Sequence, residues 1–174
     1  MKKFFYSFFA AVALMLAATS CSQEEMIENG TSGNDVEVSF NVDMEGPQAS
    51  RAIGDGTTAK YLYFGAYLKE GNDYNYVSTL QPSNWPAQGR MQFVDKKANI
   101  TLRLVKGQTY KFVFWAQSED DNTYYNVDFA AKKISAVYNV GNTASANNEN
   151  RDAFYAAEEF TINGPLTETI TLKR

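Results

Sequence analysis

The sequence predicts an all-β protein, and specifically a β-sandwich. Three observations support this prediction: short segments in which apolar and polar residues alternate, turn-forming residues between those segments, and no long stretch with helical periodicity. Seven or eight such segments follow one another at close spacing, which is typical of a sandwich.

The first strands are the clearest. In residues 36–42, Val36, Val38, Phe40 and Val42 point to one face, and the residues between them are polar, as in a strand with one buried face. Residues 44–60 are predicted to form a loop, and residues 61–68 alternate again. Turn-forming residues at 71–73 then predict a hairpin with a return strand over residues 74–80.

The second half of the chain contains one strongly apolar segment and several weaker ones. Residues 110–117 are almost continuously apolar, which predicts a central strand covered on both faces, with Trp115 in the core. Asp152 is predicted to cap a single helical turn through Ala157. The other predicted strands are residues 91–94, 99–105, 124–129 and 134–138, and residues 160–163 and 168–172 are predicted to form a closing hairpin.

The N-terminal segment predicts export and lipid attachment. Lys2 and Lys3 precede an apolar run that ends in Leu16-Ala17-Ala18-Thr19-Ser20-Cys21, the arrangement of a secretory signal. These last six residues resemble a bacterial lipobox, which implies that residues 1–20 are removed and that lipidated Cys21 holds the chain to a membrane. The alternative is an ordinary secretory signal followed by a chance cysteine.

The segments that follow Cys21 complete the predicted organisation. Residues 21–35 are polar and contain glycine, which predicts a flexible tether, and residues 36–174 are predicted to form the β-sandwich domain. Glu24-Glu25 resembles the surface-export signal of Bacteroides-type lipoproteins, which implies an outer-membrane, surface-exposed location. The alternative is a charged linker.

Composition argues against several classes of function. The chain of 174 residues has a formal net charge of −4, no histidine and one cysteine. An acidic chain without a basic cluster argues against nucleic acid as a partner. The lack of histidine removes the commonest general base and the commonest transition-metal ligand. We therefore expect no catalytic activity, no metal site and no cofactor.

Several segments resemble a known family. Residues 111–117 (Lys-Phe-Val-Phe-Trp-Ala-Gln), Tyr138 and residues 150–156 (Asn-Arg-Asp-Ala-Phe-Tyr-Ala) are similar to the N-terminal-half domain of fimbrillin-like lipoproteins of Bacteroides-type bacteria. The similarity covers residues 36–172. It implies a transthyretin-like, Greek-key β-sandwich of about seven strands. It also implies a role as a pilus subunit, pilus anchor or adhesin, with other pilus subunits or surface ligands as partners.

The resemblance also implies a processing site. In the polymerising members an arginine-directed protease cuts after the first strand, and a strand from the next subunit fills the groove that is left. Arg51 matches that position here, and cleavage would release Val36, Val38, Phe40 and Val42. The alternative is a solvated loop arginine. In those members the donor strand lies in a second domain, so the sequence leaves open a truncated two-domain protein or a one-domain relative.

A glycan-binding function is the second hypothesis. Trp85 lies in a predicted loop between Asn84 and Pro86, and Tyr74 and Tyr76 lie in the return strand of the predicted hairpin. A surface module that captures oligosaccharide would present Trp85 and one of these tyrosines as solvent-exposed, coplanar rings on the same side, where they could stack on a sugar. The alternative is that Trp85 packs against the core or anchors its loop.

Overall fold

The computed structural model describes residues 34–45, 58–119, 123–137 and 149–174. Residues 31–174 form one compact unit, and its described part contains ten strands, one short 3-10 turn at Glu149–Arg151 and no α-helix. The strands are β1 (Asp35–Met44), β2 (Tyr61–Glu70), β3 (Asp73–Tyr76), β4 (Met91–Gln92), β5 (Lys97–Val105), β6 (Thr109–Gln117), β7 (Tyr125–Asp128), β8 (Lys133–Ala136), β9 (Ala153–Thr161) and β10 (Leu166–Leu172).

The predicted β-sandwich is confirmed, although it has more strands than the seven or eight expected. A three-stranded sheet has the order β10-β1-β5, and a five-stranded sheet has the order β3-β2-β6-β9 with β4 also paired to β2. The extra strands are short, because β4 spans only two residues and β7 and β8 form a separate hairpin of four-residue strands. The transthyretin-like connectivity stays a prediction.

The core lies between the two larger sheets. Strand residues facing inward alternate with more exposed ones, so that Phe40 of β1 meets Phe112 and Phe114 of β6 across the interior, with ring centroids 4.9 and 5.5 Å apart. Burying an aliphatic or aromatic side chain of this size contributes about 1.5–3 kcal/mol. The chain has no disulfide partner for its single cysteine, so packing of this kind has to supply most of the stability.

Two predictions for the C-terminal part are wrong. Residues 153–157 do not form a helical turn after Asp152, because they belong to β9, which pairs with β6 from Gln117 to Thr109 and buries Phe154 and Ala156. β9 and β10 do not form a hairpin either. β10 crosses to the other sheet and runs parallel to β1, where its Ile170 and Leu172 are buried. In both cases tertiary pairing overrides the local pattern.

The return strand after β2 is shorter than predicted, and the loop that follows closes one side of the sandwich. β3 ends at Tyr76 rather than near residue 80. Beyond it, the backbone N–H of Ser83 donates to the carbonyl of Thr101 in β5 at 2.8 Å, and the side-chain amide of Asn84 donates to the carbonyl of Asn99 at 2.7 Å. These bonds cover part of the edge of β5 and hold residues 77–90 in place.

A third layer covers the outer face of the five-stranded sheet. The β7–β8 hairpin and the adjacent Phe129 lie there, and a Cβ atom on Gly65 of β2 would be only 2.6 Å from Cγ of Phe129. The Trp115 and Tyr125 rings meet edge to face at 5.2 Å. Trp115 therefore lies half-buried on this outer face and not in the core between the sheets, which corrects the prediction made for it.

Candidate functional sites

The first candidate site is the position that β1 occupies in the three-stranded sheet. β1 is the middle strand, paired in parallel with β10 and antiparallel with β5 over most of its length. Val38, Phe40 and Val42 are each 0% exposed, while Val36 is half-buried at the edge of the core. Phe40 has the largest side chain of these four residues, and its ring also packs against Phe160 of β9, with ring centroids 5.6 Å apart.

Backbone hydrogen bonds extend to both ends of β1. Lys106 N–H donates to the carbonyl of Asn34 at 2.9 Å, and Glu45 N–H donates to the carbonyl of Leu172 at 2.9 Å. Removal of this strand would expose the facing edges of β5 and β10 and an apolar slot between them. Arg51 and Cys21 lie outside the described residues, so their placement stays a prediction.

The second candidate site is a cavity of about 300 Å³ beside β2, and we call it the aromatic cavity. It lies where β3 has ended and β4 has not yet begun, so none of the described strands pairs with the middle of β2 on that side. Its base is formed by Tyr63, Phe64 and Ala66 of β2, and Val127 and Phe129 close it from the hairpin layer.

The aromatic cavity brings together two of the three predicted ligand residues. Tyr76 and Trp85 both line it. The Trp85 ring packs on Phe64 with centroids 6.0 Å apart, and the Tyr76 ring packs on Tyr67 at 5.6 Å. Trp85 therefore also anchors its loop to the core, as the alternative reading expected, and its remaining exposed part faces the cavity.

Tyr74 is not part of the aromatic cavity. Its hydroxyl donates to Glu159 of β9, and the Nζ atoms of Lys69 and Lys111 lie 5.6 and 5.0 Å from its ring centroid. Lys69 Nζ is also 2.9 Å from Glu159 Oε1. The hydrogen bonds from Tyr74 and Lys69 lower the pKa of Glu159, and the bond to Glu159 raises the pKa of Lys69. This exposed cluster lies apart from the cavity.

Polar side chains form the rim of the aromatic cavity. Gln81, Gln88 and Arg90 come from the loop between β3 and β4, and no acidic residue lines the cavity in the described part of the chain. Arg90 places its guanidinium carbon 4.7 Å from the centroid of the Tyr61 ring, a cation–π contact that orients the side chain. The rim therefore offers amide and guanidinium donors above a base of aromatic rings.

Tyr67 connects the cavity wall to the hairpin layer. Its hydroxyl donates to the carbonyl of Phe129 at 2.8 Å. The pKa of Tyr67 is raised to about 12, mainly because the side chain is buried and to a smaller extent because Tyr76 and Asp128 lie nearby. The neutral phenol thus stabilises the position of Phe129 at any pH below about 10.

A second, shallower groove lies on the outer face of the three-stranded sheet. Its volume is about 520 Å³, and it is lined by Asn41, Asn84, Asn99 and their neighbours, with no aromatic ring among the described lining residues. Asn99 Nδ2 donates to Asn41 Oδ1 at 2.8 Å, so these amides already bind one another. The groove offers no stacking surface, which makes it the weaker candidate for a sugar.

Sequence reasoning missed the residues that shape the aromatic cavity. Phe129 was placed at the end of a weak strand, and neither Gln88 nor Arg90 belonged to any motif. The signal that could have been used is Gly65, because a glycine inside a strand often marks the close approach of another group. Here that group is the Phe129 ring.

Within the described residues, no group of three or more His, Cys, Asp or Glu side chains is placed to hold a metal ion. The same residues include no helix with the length and apolar character needed to cross a membrane.

Comparisons with known proteins identify the family of this domain but not its function. A family model described as a family of unknown function (DUF6562) matches residues 29–174. No curated protein matches the chain. The solved structure of a pilus-presented adhesin (Spy0125, Cpa) is similar with a TM-score of 0.28 and 17% identity over 82% of this chain, which spans 27% of that adhesin. A likeness at this level carries no functional argument.

Proposed function

We propose that this chain, which belongs to the DUF6562 family of unknown function, is a surface structural or adhesion protein. It acts by exchange of its first strand and not by catalysis. In this proposal lipidated Cys21 attaches the chain to the outer membrane and Arg51 is the processing site. The fimbrillin-like resemblance and the position of β1 both support it.

The single observation that carries the proposal is the place of β1 in its sheet. A middle strand whose inward side chains are fully buried leaves a deep slot when it is removed, with an unpaired strand edge on either side. An incoming strand can repair both edges by main-chain pairing and fill the slot with alternate side chains. The large ring of Phe40 at the centre of β1 sets the shape of that slot.

Protein purified from its native host tests the processing step. N-terminal sequencing and intact mass should show a chain that begins at Ala52 in the assembled form, and palmitate labelling should be lost in the variant Cys21→Ser. A population that consists only of unprocessed, lipidated chain would contradict strand exchange while leaving a surface anchor in place.

A peptide-exchange experiment tests the slot itself. An arginine-specific protease is applied to the folded chain, and a labelled peptide with the sequence of residues 34–45 is then added. The cleaved protein should take up this peptide, whereas a peptide carrying Phe40→Asp should not bind. The variant Arg51→Ala is the matched control, because it keeps β1 and should exclude both peptides. Equal uptake by cleaved protein and control would refute the proposal.

A second candidate function is surface binding of polysaccharide. The specific observation that favours it is that Tyr76 and Trp85, on separate segments, line one cavity with a polar rim. Retention of the chain on immobilised polysaccharides is the test, and no retention across a broad panel would set this candidate aside.

A further inference from the structure

We propose that the aromatic cavity binds a single pyranose ring, with Trp85 and Tyr76 against the faces of the sugar and the Gln81, Gln88 and Arg90 side chains on its hydroxyl groups. This inference rests on the second candidate function and names its site and ligand. It concerns the five-stranded sheet, so it holds whether or not β1 is exchanged.

The aromatic residues supply the apolar part of the recognition. An aromatic face carries partial negative charge, which attracts the slightly positive C–H groups on the face of a pyranose. Trp85 and Tyr76 are half-buried, so each ring is fixed by its contact with Phe64 or Tyr67 and still presents surface to the cavity. Fixed rings lose little conformational freedom when a ligand binds.

The rim supplies the polar part. Each glutamine amide offers two donors and an acceptor, which suits neighbouring hydroxyl groups that are themselves both donors and acceptors. The Gln81 and Gln88 side chains are exposed at the cavity mouth. They can therefore form hydrogen bonds with a sugar without any rearrangement of the core.

The backbone of β2 adds a donor and an acceptor at the base. The carbonyls of Lys60 and Ala66 accept from Phe93 and Val77 on the side of β2 that faces β4 and β3. Because hydrogen-bonding direction alternates along a strand, the amide and carbonyl of Phe64 face the same side, at the gap between those two strands. Main-chain groups at the base of a pocket give a ligand a fixed orientation.

Size and charge restrict the ligand further. A volume of about 300 Å³ is at the small end for ligand pockets, so the cavity holds one ring and not an extended oligosaccharide. Arg90 is the one charged residue among the described lining residues. Its guanidinium offers hydrogen-bond donors, so a neutral or carboxylated pyranose fits that environment.

The test uses the full chain and the intrinsic fluorescence of Trp85. The variant Trp115→Phe leaves Trp85 as the only tryptophan, and it is titrated with glucose, galactose, mannose, N-acetylglucosamine, glucuronic acid and glucosamine as methyl glycosides. We expect a saturable change in Trp85 emission with at least one neutral or carboxylated sugar. Saturation-transfer NMR on the unmodified chain should identify the same sugar.

Two tyrosines of the same strand provide the matched pair. Tyr76→Ala should weaken binding by roughly tenfold or more, as the loss of a central aromatic contact does, whereas Tyr74→Ala should leave it unchanged. Because Gln88 is exposed, Gln88→Ala keeps the fold and should weaken binding by about threefold or more. Circular dichroism on each variant confirms folding.

The outcomes separate this proposal from the broader function. If the chain binds polysaccharide but Tyr76→Ala, Tyr74→Ala and Gln88→Ala all bind equally, polysaccharide capture stands and the cavity assignment is refuted. If no sugar gives a saturable response and no polysaccharide retains the chain, both fail.

Discussion

Gly65→Ala tests how the hairpin layer is seated on the five-stranded sheet. The new Cβ would lie 2.6 and 2.7 Å from Cγ and Cδ1 of Phe129, distances that side chains essentially never adopt. Either the Phe129 ring leaves its position or the hairpin moves outward. Overpacking of this kind costs about 1–3 kcal/mol, and the reduced entropy of the unfolded chain offsets about 0.4–1 kcal/mol of that. We expect a net loss of about 1–2 kcal/mol.

Urea denaturation followed by fluorescence measures this loss. With a slope of about 2 kcal/mol per molar urea, the midpoint should fall by about 0.5–1 M. In the background Phe129→Ala the same substitution at Gly65 should cost much less, because the ring is gone and only the Cβ of residue 129, at 3.1 Å, remains close. Gly164→Ala is the control, since a Cβ there has no heavy atom within 4 Å and should leave the midpoint unchanged or slightly higher. A Gly65→Ala protein as stable as the unmodified chain would refute the close approach of Phe129.

Three further predictions concern the core, a buried carboxylate and alkaline pH. Phe40→Ala should cost about 3–5 kcal/mol in urea unfolding, because the ring is fully buried among other rings; a cost below about 1 kcal/mol would mean that the slot collapses. Arg174 donates a hydrogen bond to the buried Asp152, so Arg174→Ala should destabilise the fold by about 1–2 kcal/mol. In the background Asp152→Asn most of that effect should disappear. An equal effect of Arg174→Ala in the unmodified chain and in Asp152→Asn would rule out the pair. The pKa of Tyr67 is raised to about 12 from an ordinary value of 10.0, so the stability that it contributes is fully present below pH 10 and falls as the pH rises from 10 towards 12. Tyr67→Phe should flatten the stability profile over that range, and an unchanged slope would contradict the raised pKa.

The strands that the sequence predicted well are those with a clear pattern of apolar residues. Alternation in β1 and β2 and the apolar run of β6 are local signals, because each residue's position in the strand decides which face it joins. Their pairing partners are not local. Nothing within residues 153–172 indicates that β9 pairs with β6 while β10 crosses to β1. A short stretch between two strand-like segments predicts a hairpin equally well, and only the packing of the whole domain decides against it.

The two candidate sites also differ in how far the sequence could predict them. The burial of β1 could be predicted because its four apolar residues are spaced by two. The aromatic cavity could be anticipated only in part, since Trp85 and Tyr76 stand out as aromatic residues but their convergence depends on the early end of β3 and on the seating of Phe129. Tyr74 shares a face of β3 with Tyr76, but it lies opposite Lys69, further along β2 from the cavity, and its hydroxyl donates to Glu159.

The parallel pairing of β1 with β10 has a consequence for biosynthesis. Val38 is aligned with Leu166, a residue synthesised about 130 positions later, and ribosomes add about 5–20 residues per second, so this neighbour arrives on the order of ten seconds after β1. During that interval the nascent chain cannot complete its three-stranded sheet. The three-stranded sheet can therefore form in full only after residues 166–172 have been added.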